Sequence, residues 1–468
     1  MNADPTVLLT AQGQELLTRL AAEPDSGSLA LAVRLRREYP ADLVAAATAQ
    51  HELRLAARAK FSRAADMLFT RSGYEQSSSE PIARYRAGRF GDARQVADLC
   101  CGIGGDLLAL APGREVLAVD RDEVHALLAL HNAAVYGESE NVRAVVADVR
   151  DLCLTGLDAV FIDPARRSGP GTASAGTASA GSGAASASAG TASAGRGSAS
   201  AGAGTASARS RTASAGARGG SSGAPQRFRA GLSEPSLDWC FALADQVLAV
   251  CIKAAPGLPL DLLPEGWEAE FIADGRDLKE AVLWSPALAT APPAGSDGPR
   301  RATVMSGTGP RTLVCHPGDP VPVTEPGEYL LDPNPAVTRA GLVEDLARSL
   351  DSADSSGAGG DSGSAHDSDA VSKIDPRIAF LTLNWPAQTP FARTLRVLDS
   401  APWNEKRFAK RLRELGIGAA DIRRRGLAGD VDQIHRRLKL AGPNRGTIVI
   451  TRVNDKPWGL ICTDPESA

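Results

Sequence analysis

Short apolar runs alternate with stretches of helical periodicity between residues 95 and 285. The apolar runs lie at 96–99, 115–119, 142–146, 158–162 and 247–253. Each is short enough for a buried β-strand, whereas residues 123–136 repeat apolar side chains at helical spacing. Strands that alternate with helices are typical of a parallel sheet, so the pattern predicts an α/β fold in this part of the chain.

Acidic residues stand where four of the predicted strands end: Asp98, Asp120, Asp148 and Asp163. The carboxyl ends of parallel strands share one edge of a sheet, and ligands bind in the crevice outside that edge. Each Asp taken alone could cap the following helix or turn. Four acids in the same register, with a glycine-rich turn beside the first, instead predict one ligand-binding rim.

The segment 98–106 leads from the first strand through a glycine-rich turn into a helical run. Gly102 and Gly104 can adopt backbone angles that are closed to other residues, and they let a ligand lie against the main chain. The spacing departs from the Gly-x-Gly-x-x-Gly of dehydrogenases, which argues against a nicotinamide cofactor.

The order of these motifs resembles that of the class I S-adenosylmethionine-dependent methyltransferases, over about residues 60–285. The resemblance implies a Rossmann-like sheet and S-adenosylmethionine as the cofactor. It makes 98–106 the first motif of that family, in which Asp98, Cys100, Gly102 and Gly104 hold the methionine part of the cofactor.

The same resemblance assigns roles further along the chain. Asp120 matches the acid that binds the ribose hydroxyls, and Asp148 with Val149 matches the adenine-binding position. Asp163-Pro164-Ala165-Arg166 matches the fourth motif, at the mouth that faces the methyl acceptor. The catalytic candidates are therefore Asp163, Pro164 and Arg166.

The fourth motif indicates which kind of acceptor is methylated. In members of the family that methylate exocyclic amines, an acid or amide accepts an N–H and a following aromatic stacks on the base. Asp163 can accept such a hydrogen bond, but no aromatic follows it, and Arg166 could lie over the base instead.

Asp-Pro-Ala-Arg is also similar to the uridine-C5 methyltransferases, which need a cysteine nucleophile after the fifth strand. Cys251 lies inside that predicted strand and Lys253 follows it, so no cysteine stands at the matching place. The sequence therefore favours transfer to a base nitrogen over transfer to uridine C5.

The first 90 residues predict helices, because Leu8, Leu16 and Leu20 recur near helical spacing. Residues 75–86, just before the first strand, allow two interpretations. They are either a polar lid over the methionine end of the cofactor or a plain helix start, with a serine cap and Pro81 in the first turn.

Near the end of the chain, strands are predicted around 378–383, 394–398, 446–451 and 458–462, with helices at 404–415 and 430–440. The segments 406–412 and 446–452 resemble the THUMP-like domain found at the C-terminus of some bacterial methyltransferases. True THUMP domains bind RNA, so the resemblance implies an RNA-binding role.

Residues 403–445 contain 12 Lys or Arg and five Asp or Glu, a net charge of +7, although the whole chain carries −4. Clustered cations attract the phosphate backbone and position a nucleic acid without reading its sequence. A solvated helix face is the ordinary explanation of such a run. The local excess, together with the THUMP-like segments, favours RNA as the partner of 403–445.

These patterns divide the chain into parts. We expect a helical region (1–90), a Rossmann-like methyltransferase domain (91–285), an unassigned connection (286–350), an acidic linker (351–372) and a basic THUMP-like domain (373–468). Residues 168–226 are a degenerate Thr-Ala-Ser-Ala-Gly repeat that cannot bury a core, which predicts a disordered insert. The expected fold is α/β, with a helical N-terminal region and a smaller α+β C-terminal domain. The resemblance also implies an antiparallel strand at the sheet edge, from the hairpin runs 269–273 and 278–284.

Composition adds little to this picture. With 468 residues and 43% hydrophobic side chains, the chain can bury two or three cores. It shows no signal-peptide pattern and no apolar run near 18 residues, so we expect a cytoplasmic protein without a membrane span. Seven cysteines without a Cys-x-x-Cys pair suit a reducing compartment and predict no metal site. The oligomeric state is left open.

Three hypotheses about function remain at this point. The first is a methyltransferase that acts on RNA at a base nitrogen. The second is a cofactor- or RNA-binding adaptor without transfer activity, because the acceptor motif lacks its aromatic. The third is a methyltransferase for a small molecule or a protein.

Overall fold

The computed structural model describes residues 4–23, 29–166, 233–292, 298–357, 370–427 and 429–465. The repeat insert expected at 168–226 lies outside these residues, as does most of the linker expected at 351–372.

Helices fill the region before the first strand, as the leucine spacing predicts. They are α1 (Ala11–Ala22), α2 (Leu29–Leu35), α3 (Ala41–Ala57), α4 (Arg71–Gln76) and α5 (Glu80–Gly88). Leu16 and Leu20 of α1 are buried in one cluster with Val44 of α3. That cluster also contains Ile103 of the glycine-rich turn, so the helical region packs directly beside the predicted rim.

A nine-stranded sheet follows, with helices between its strands. The strands after the helical region are β1 (Gln95–Leu99), β2 (Glu115–Asp120), β3 (Val142–Val146), β4 (Ala159–Ile162), β5 (Ala165–Arg166), β6 (Ser233–Glu234), β7 (Ala249–Ala254), β8 (Glu268–Asp274), β9 (Asp277–Trp284), β10 (Arg300–Ser306) and β11 (Gly309–Val314). The helices are α6 (Leu107–Leu110), α7 (Glu123–Val135) and α8 (Leu237–Ala242). β5 and β6 pair separately, as a two-stranded ladder.

The sheet order is β11-β10-β8-β9-β7-β4-β1-β2-β3. β1, β2, β3, β4 and β7 run parallel, so their carboxyl ends share one edge, as predicted. The chain winds outward from β1 to β3 and then returns to place β4 on the other side of β1. Ligands bind at such a reversal of strand order, where the loops from neighbouring strands diverge.

The sheet extends beyond the boundary that we expected at residue 285, so that boundary is wrong. β9 runs antiparallel between β7 and β8, and β10 and β11 continue the sheet outward, so the expected edge position of the antiparallel strand is also wrong. The Pro- and Gly-rich surroundings of 300–314 obscured two strands that form only by pairing with β8 and with each other.

The second sheet has seven strands, in the order β13-β14-β12-β15-β18-β17-β16. Its elements are β12 (Tyr329–Pro333), α9 (Pro335–Ala340), α10 (Val343–Gly357), β13 (Ser372–Lys373), β14 (Leu381–Leu383), β15 (Ala392–Pro402), α11 (Glu405–Glu414), β16 (Ile417–Arg424), α12 (Val431–Leu438), β17 (Asn444–Val453) and β18 (Lys456–Thr463). The strands and helices predicted after residue 373 are present.

Three elements of the second sheet and its helices differ from the sequence interpretation. β12 lies in the stretch that we could not assign, and it is a central strand between β14 and β15. α10 extends to Gly357, so the first residues of the expected linker are helical. β16 was not predicted, because its small and charged residues have low strand propensity and only the parallel pairing with β17 orders them.

A buried carboxylate joins the two sheets. Asp332 at the end of β12 accepts from Arg276, in the β8–β9 turn, at 2.7 Å and from Arg425, directly after β16, at 2.9 Å. Asn334 donates to the carbonyl of Gly275 in the same turn, at 2.8 Å. These contacts fix the second sheet and its helices, which we call the C-terminal layer, against the β8–β9 hairpin of the large sheet.

Among the residues that the structure describes, no helix combines the length and the apolar character that crossing a bilayer requires.

Candidate functional site

A cleft of about 850 Å³ opens at the carboxyl ends of the parallel strands. Of the residues singled out from the sequence, it is lined by Asp98, Cys100, Gly102, Asp120, Asp148, Val149, Asp163 and Pro164. The prediction that four acids share one rim is therefore confirmed. Its volume is within the range of small-molecule sites in proteins.

The glycine-rich turn shapes the floor of this cleft. Cys100 and Gly102 have positive φ values of 60° and 53°. A Cβ added at Gly102 would meet no atom within 4 Å, so this glycine leaves open space at the floor. Burial raises the pKa of the Cys100 thiol, which keeps it protonated and unsuited to nucleophilic attack.

Gly104 does not line the cleft. A Cβ at this position would stand 3.2 Å from Cα of Ala129 in α7, so Gly104 allows the turn to pass close to that helix. Gly105 lines the cleft in its place, against Ser77.

Asp120 is held rigidly at the end of β2. Its Oδ2 accepts from the backbone N–H of Gly102 at 2.8 Å, and its Oδ1 accepts from that of Asp122 at 2.9 Å. His125 Nδ1 lies 3.7 Å from the same Oδ1. Burial opposes ionisation, but the nearby His125 and the hydrogen bonds from Asp122 and Gly102 outweigh it and lower the pKa of Asp120. Each oxygen keeps a lone pair for a ligand hydroxyl.

Asp98 is buried beneath the cleft, and in the described part of the chain neither carboxylate oxygen has a hydrogen-bond partner. Burial and the neighbouring Asp106, Asp163 and Asp120 raise its pKa well above the ordinary value. A buried polar group without a partner is costly, so this position calls for a donor or a cation from a ligand. An acidic floor of this kind fits a cofactor that carries sulfonium and ammonium charges.

Asp148 lies on the outer side of the cleft with Arg150. Arg150 Nη2 lies 2.5 Å from Asp148 Oδ2, and Arg150 Nη1 lies 2.8 Å from Glu234. The hydrogen bonds from Arg150 lower the pKa of Asp148 to about 2. Val149 is buried beside it and offers an apolar contact. No sequence pattern indicated the Arg150–Glu234 pair.

Asp163 and Pro164 stand at the mouth of the cleft, directly after β4. Lys253 of β7 donates to Asp163 Oδ2 at 2.6 Å. Arg166 pairs through its backbone with Ser233, but its side chain lies outside the described residues. The idea that Arg166 covers a base therefore remains a prediction.

A buried ionic network beneath the mouth was missed by the sequence interpretation. Arg86 of α5 is 1% exposed and pairs with both Asp106 and Glu280. Lys253 lies between Asp163 and Asp106. The one sequence feature that could have indicated this network is a charged residue inside an apolar run, as at Lys253 in β7.

The segment 75–79 lines the cleft, and the helix that follows it begins at Glu80 with Pro81 in its first turn. The helix start with Pro81 in its first turn is therefore confirmed, although Ser79 caps it without a side-chain hydrogen bond, and a lid over the methionine end of the cofactor remains a prediction. Lys60 holds the segment, donating to the carbonyls of Tyr74 at 2.6 Å and Ser77 at 2.9 Å. Ser78 donates to Glu280 at 2.8 Å.

A second feature lies on the C-terminal layer, where most cations of 403–445 are exposed. We call the following exposed residues the basic surface: Lys406, Arg407, Lys410, Arg413, Arg423, Arg436, Arg437, Lys439 and Arg445. The pairs of Arg407 with Asp399, Lys410 with Glu414 and Arg437 with Glu405 are 3.8–3.9 Å long. Such long, solvated pairs leave these cations available to a polyanion.

Among the described residues, no group of three or more His, Cys, Asp or Glu is arranged to hold a metal ion.

Comparisons with family models match three parts of the chain. Residues 93–171 match the model described as RNA cap guanine-N2 methyltransferase, and residues 392–464 match the model described as THUMP domain-like. Residues 3–57 match a domain of unknown function, DUF8688.

Longer similarities cover most of the chain. An uncharacterized S-adenosylmethionine-dependent methyltransferase of Mycobacterium tuberculosis, found in two strains, is 29% identical over 393 residues, which are 82% of this chain and 85% of that protein. A crystal structure from Porphyromonas gingivalis, described as a methyltransferase, matches 99% of this chain and 100% of its own with a TM-score of 0.68 and 19% identity. At this identity, the similarity to the Porphyromonas gingivalis structure establishes the two-sheet fold alone. The chain is thus an S-adenosylmethionine-dependent methyltransferase with a C-terminal THUMP-like domain.

Proposed function

We propose that this methyltransferase acts on RNA and transfers the methyl group to a base nitrogen. The observation that carries the proposal is the basic surface, whose nine exposed cations lie on the domain that matches the THUMP-like model. The description of the model matched by 93–171, RNA cap guanine-N2 methyltransferase, supports nitrogen as the acceptor atom.

The helices of the C-terminal layer support binding to a phosphate backbone. Phe408 and Leu412 of α11 are buried, whereas Lys406, Lys410 and Arg413 form its exposed face. The positions i, i+4 and i+7 lie on one side of a helix, so these three cations present a single row to solvent. Neutralising phosphates with such a row releases counterions and drives association.

We further propose which residues hold the cofactor. Asp120 accepts from the ribose hydroxyls, and Asp148 with Val149 borders the adenine. Asp98, Cys100 and Gly102 surround the methionine part, where the unpartnered Asp98 favours a cationic group. Gly104 contributes through the shape of the turn, because it packs on Ala129.

Asp163 is the proposed acceptor-site acid. When bound, S-adenosylmethionine supplies an electrophilic methyl carbon, whose bond to sulfur breaks with its electron pair left on sulfur as the base nitrogen bonds to it. Asp163 accepts an N–H from the base amine and so orients the nitrogen toward the cleft. It then takes the proton that the methylated nitrogen releases and, being half-buried, returns it to solvent.

The test uses the full chain, methyl-labelled cofactor and RNA from cells that lack this protein, followed by nucleoside mass spectrometry. We expect label in a nucleoside methylated on a base nitrogen. Label on carbon 5 of uridine or on a ribose oxygen would contradict the acceptor assignment.

The same reaction separates the alternatives. Label in protein or in a small molecule, with none in RNA, favours the third hypothesis, and cofactor binding without any transfer favours the adaptor. Removing residues 373–468 is not a clean test of the RNA role. That deletion strips β12 of its neighbours β14 and β15 and takes Arg425 from the buried Asp332.

A further inference from the structure

Lys253 is a buried cation that three separate parts of the site share. Its side chain is 7% exposed, and Nζ lies 2.6 Å from Asp163 Oδ2 and 3.9 Å from Asp106 Oδ2. The same Nζ donates to the carbonyl of Gln76, in the segment that lines the cleft, at 3.3 Å. One ammonium therefore contacts the acceptor-site acid, the ionic network and the cleft-lining segment 75–79, which we call the covering segment.

The charges around Asp163 come from every element packed on it. Lys253 of β7 is the direct partner, and Asp106, Asp98 and Arg86 act from the glycine-rich turn, β1 and α5. Glu280 of β9 acts on Lys253, and the Cys100 thiol, which burial keeps protonated, adds no charge beside Asp163. Burial raises the pKa of Asp163, and Lys253 opposes that rise.

Lys253 contacts only one of the two carboxylate oxygens of Asp163, namely Oδ2. An ammonium has three donors and no acceptor, so its contact restrains Oδ2 and favours the ionised form of the carboxylate. An ionised carboxylate accepts hydrogen bonds and cannot donate them.

We propose that Lys253 is a positioning residue for methyl transfer, which fixes Asp163 as a pure hydrogen-bond acceptor and ties the covering segment 75–79 to it. This inference rests on the proposed function and narrows it. An acid held in this way selects a methyl acceptor that presents an N–H, such as an exocyclic amine, over a ring nitrogen that offers only a lone pair.

The test compares Lys253→Met and Lys253→Arg with the wild-type chain in the labelled-RNA reaction at several pH values. Misplacing Asp163 is expected to lower kcat about 100-fold in Lys253→Met, with KM for RNA changed less than about threefold. Losing the adjacent positive charge is expected to raise the pKa of Asp163 and move the acid limb of the rate profile upward by about one pH unit or more. Lys253→Arg keeps the charge and should keep the acid limb in place.

Lys373→Met is the matched control, because Lys373 is 15% exposed and pairs with Glu344 at 2.8 Å in the second sheet. It removes a similar ion pair far from Asp163 and is expected to leave the acid limb unmoved. Asp163→Asn keeps the side-chain shape and should abolish the acid limb. An equal loss of rate at every pH in Lys253→Met, or no loss, would overturn the proposal.

Hydrogen exchange of the covering segment, residues 75–79, in the complex with S-adenosylhomocysteine provides a readout that needs no RNA. Exchange should accelerate in Lys253→Met, and Lys253→Arg and Lys373→Met should match the wild type. Unchanged exchange in Lys253→Met would refute the tie to the covering segment. If the wild type labels no RNA, the proposed function fails, and this second measurement still decides whether Lys253 holds the segment.

Discussion

The cleft and the basic surface both concentrate charge, but they hold it in opposite ways. At and beneath the cleft, Lys253 and Arg86 are buried and engage carboxylates directly, as in the 2.6 Å contact between Lys253 and Asp163. On the basic surface, Lys406 and Arg413 are exposed, and the pair of Lys410 with Glu414 is 3.8 Å long. The first arrangement fixes atoms, and the second attracts a polyanion.

This difference gives each region its own response to solvent conditions. Buried pairs are screened little by salt, whereas exposed charges lose their interaction beyond a Debye length of about 8 Å at physiological ionic strength. Cofactor affinity should therefore be nearly independent of salt, and RNA affinity should fall steeply with it. Variants can break one region without the other.

The largest effect on binding is expected for Asp120→Ala, which changes the cleft and leaves the basic surface intact. Two charge-assisted hydrogen bonds to the ribose are worth about 1.5–3 kcal/mol each, so calorimetry should show affinity for S-adenosylhomocysteine lowered about 100-fold or more. Asp158→Ala is the control, because Asp158 also accepts from two backbone N–H groups, those of Arg94 and Gln95 at 2.8 Å, outside the cleft. Equal losses in both variants would remove the ribose role from Asp120.

The next largest effect on binding is expected for the combined change Lys406→Glu, Lys410→Glu and Arg413→Glu, which alters the basic surface and leaves the cleft intact. Losing three phosphate contacts should weaken RNA binding at least about tenfold and flatten the slope of log affinity against log salt by about 2. The measurement is a fluorescence titration with labelled RNA at several salt concentrations.

The control for this triple variant combines Arg36→Glu, Arg37→Glu and Arg143→Glu, which reverse the charge of three arginines exposed outside the C-terminal layer. RNA affinity should then change less than about threefold, because the net charge falls equally but the local field of the basic surface remains. If both triple variants weaken binding alike, the surface acts only through net charge.

A smaller effect sharpens the account of the glycine-rich turn. Gly102→Ala strains a residue with φ of 53° and fills open space on the floor of the cleft, so affinity for S-adenosylhomocysteine should fall about tenfold. Gly91→Ala imposes the same strain at φ of 51°, also with open space around it, but outside the cleft. It should lower the melting temperature similarly and leave the affinity unchanged. A tenfold loss in Gly91→Ala would show that strain alone explains the effect.

The smallest effect is expected for Asp98→Asn. Because burial raises the pKa of Asp98, the folded chain holds a proton that the unfolded chain releases, and stability falls as pH rises from the ordinary pKa of Asp toward the folded value. Replacing the acid should raise the melting temperature of the ligand-free protein by a few degrees at neutral pH and flatten its pH dependence. A melting temperature that falls at neutral pH would contradict the account of Asp98.

Asp98→Asn should weaken the binding of S-adenosylmethionine more than that of S-adenosylhomocysteine, because only S-adenosylmethionine carries the sulfonium charge. The measurement is a calorimetric titration with each ligand. Equal weakening would place Asp98 away from the charged sulfur.

The parallel strands and their acids were predictable because both follow from local rules. Each of β1, β2 and β4 is a short apolar run, and the acids follow where the loops must turn. The basic surface was predictable from charge counting, since residues 403–445 stand out against a chain of net charge −4.

The missed features depend on contacts between residues that are distant in the chain. Lys253 meets Asp163 across 90 residues, and Arg86 meets Glu280 across 194. β16 has weak strand propensity and β10 lies among Pro- and Gly-rich residues, and both form by pairing, β16 with β17 and β10 with β8. No local pattern encodes such partners, so a single sequence does not reveal them.

The most direct test of the central claim is to follow methyl label into RNA at rising salt while calorimetry follows S-adenosylhomocysteine binding under the same conditions. The account predicts a base-nitrogen methylated nucleoside whose formation declines steeply with salt, and cofactor affinity that stays nearly constant. Salt-independent labelling of RNA, or label that enters only protein or small molecules, would contradict it.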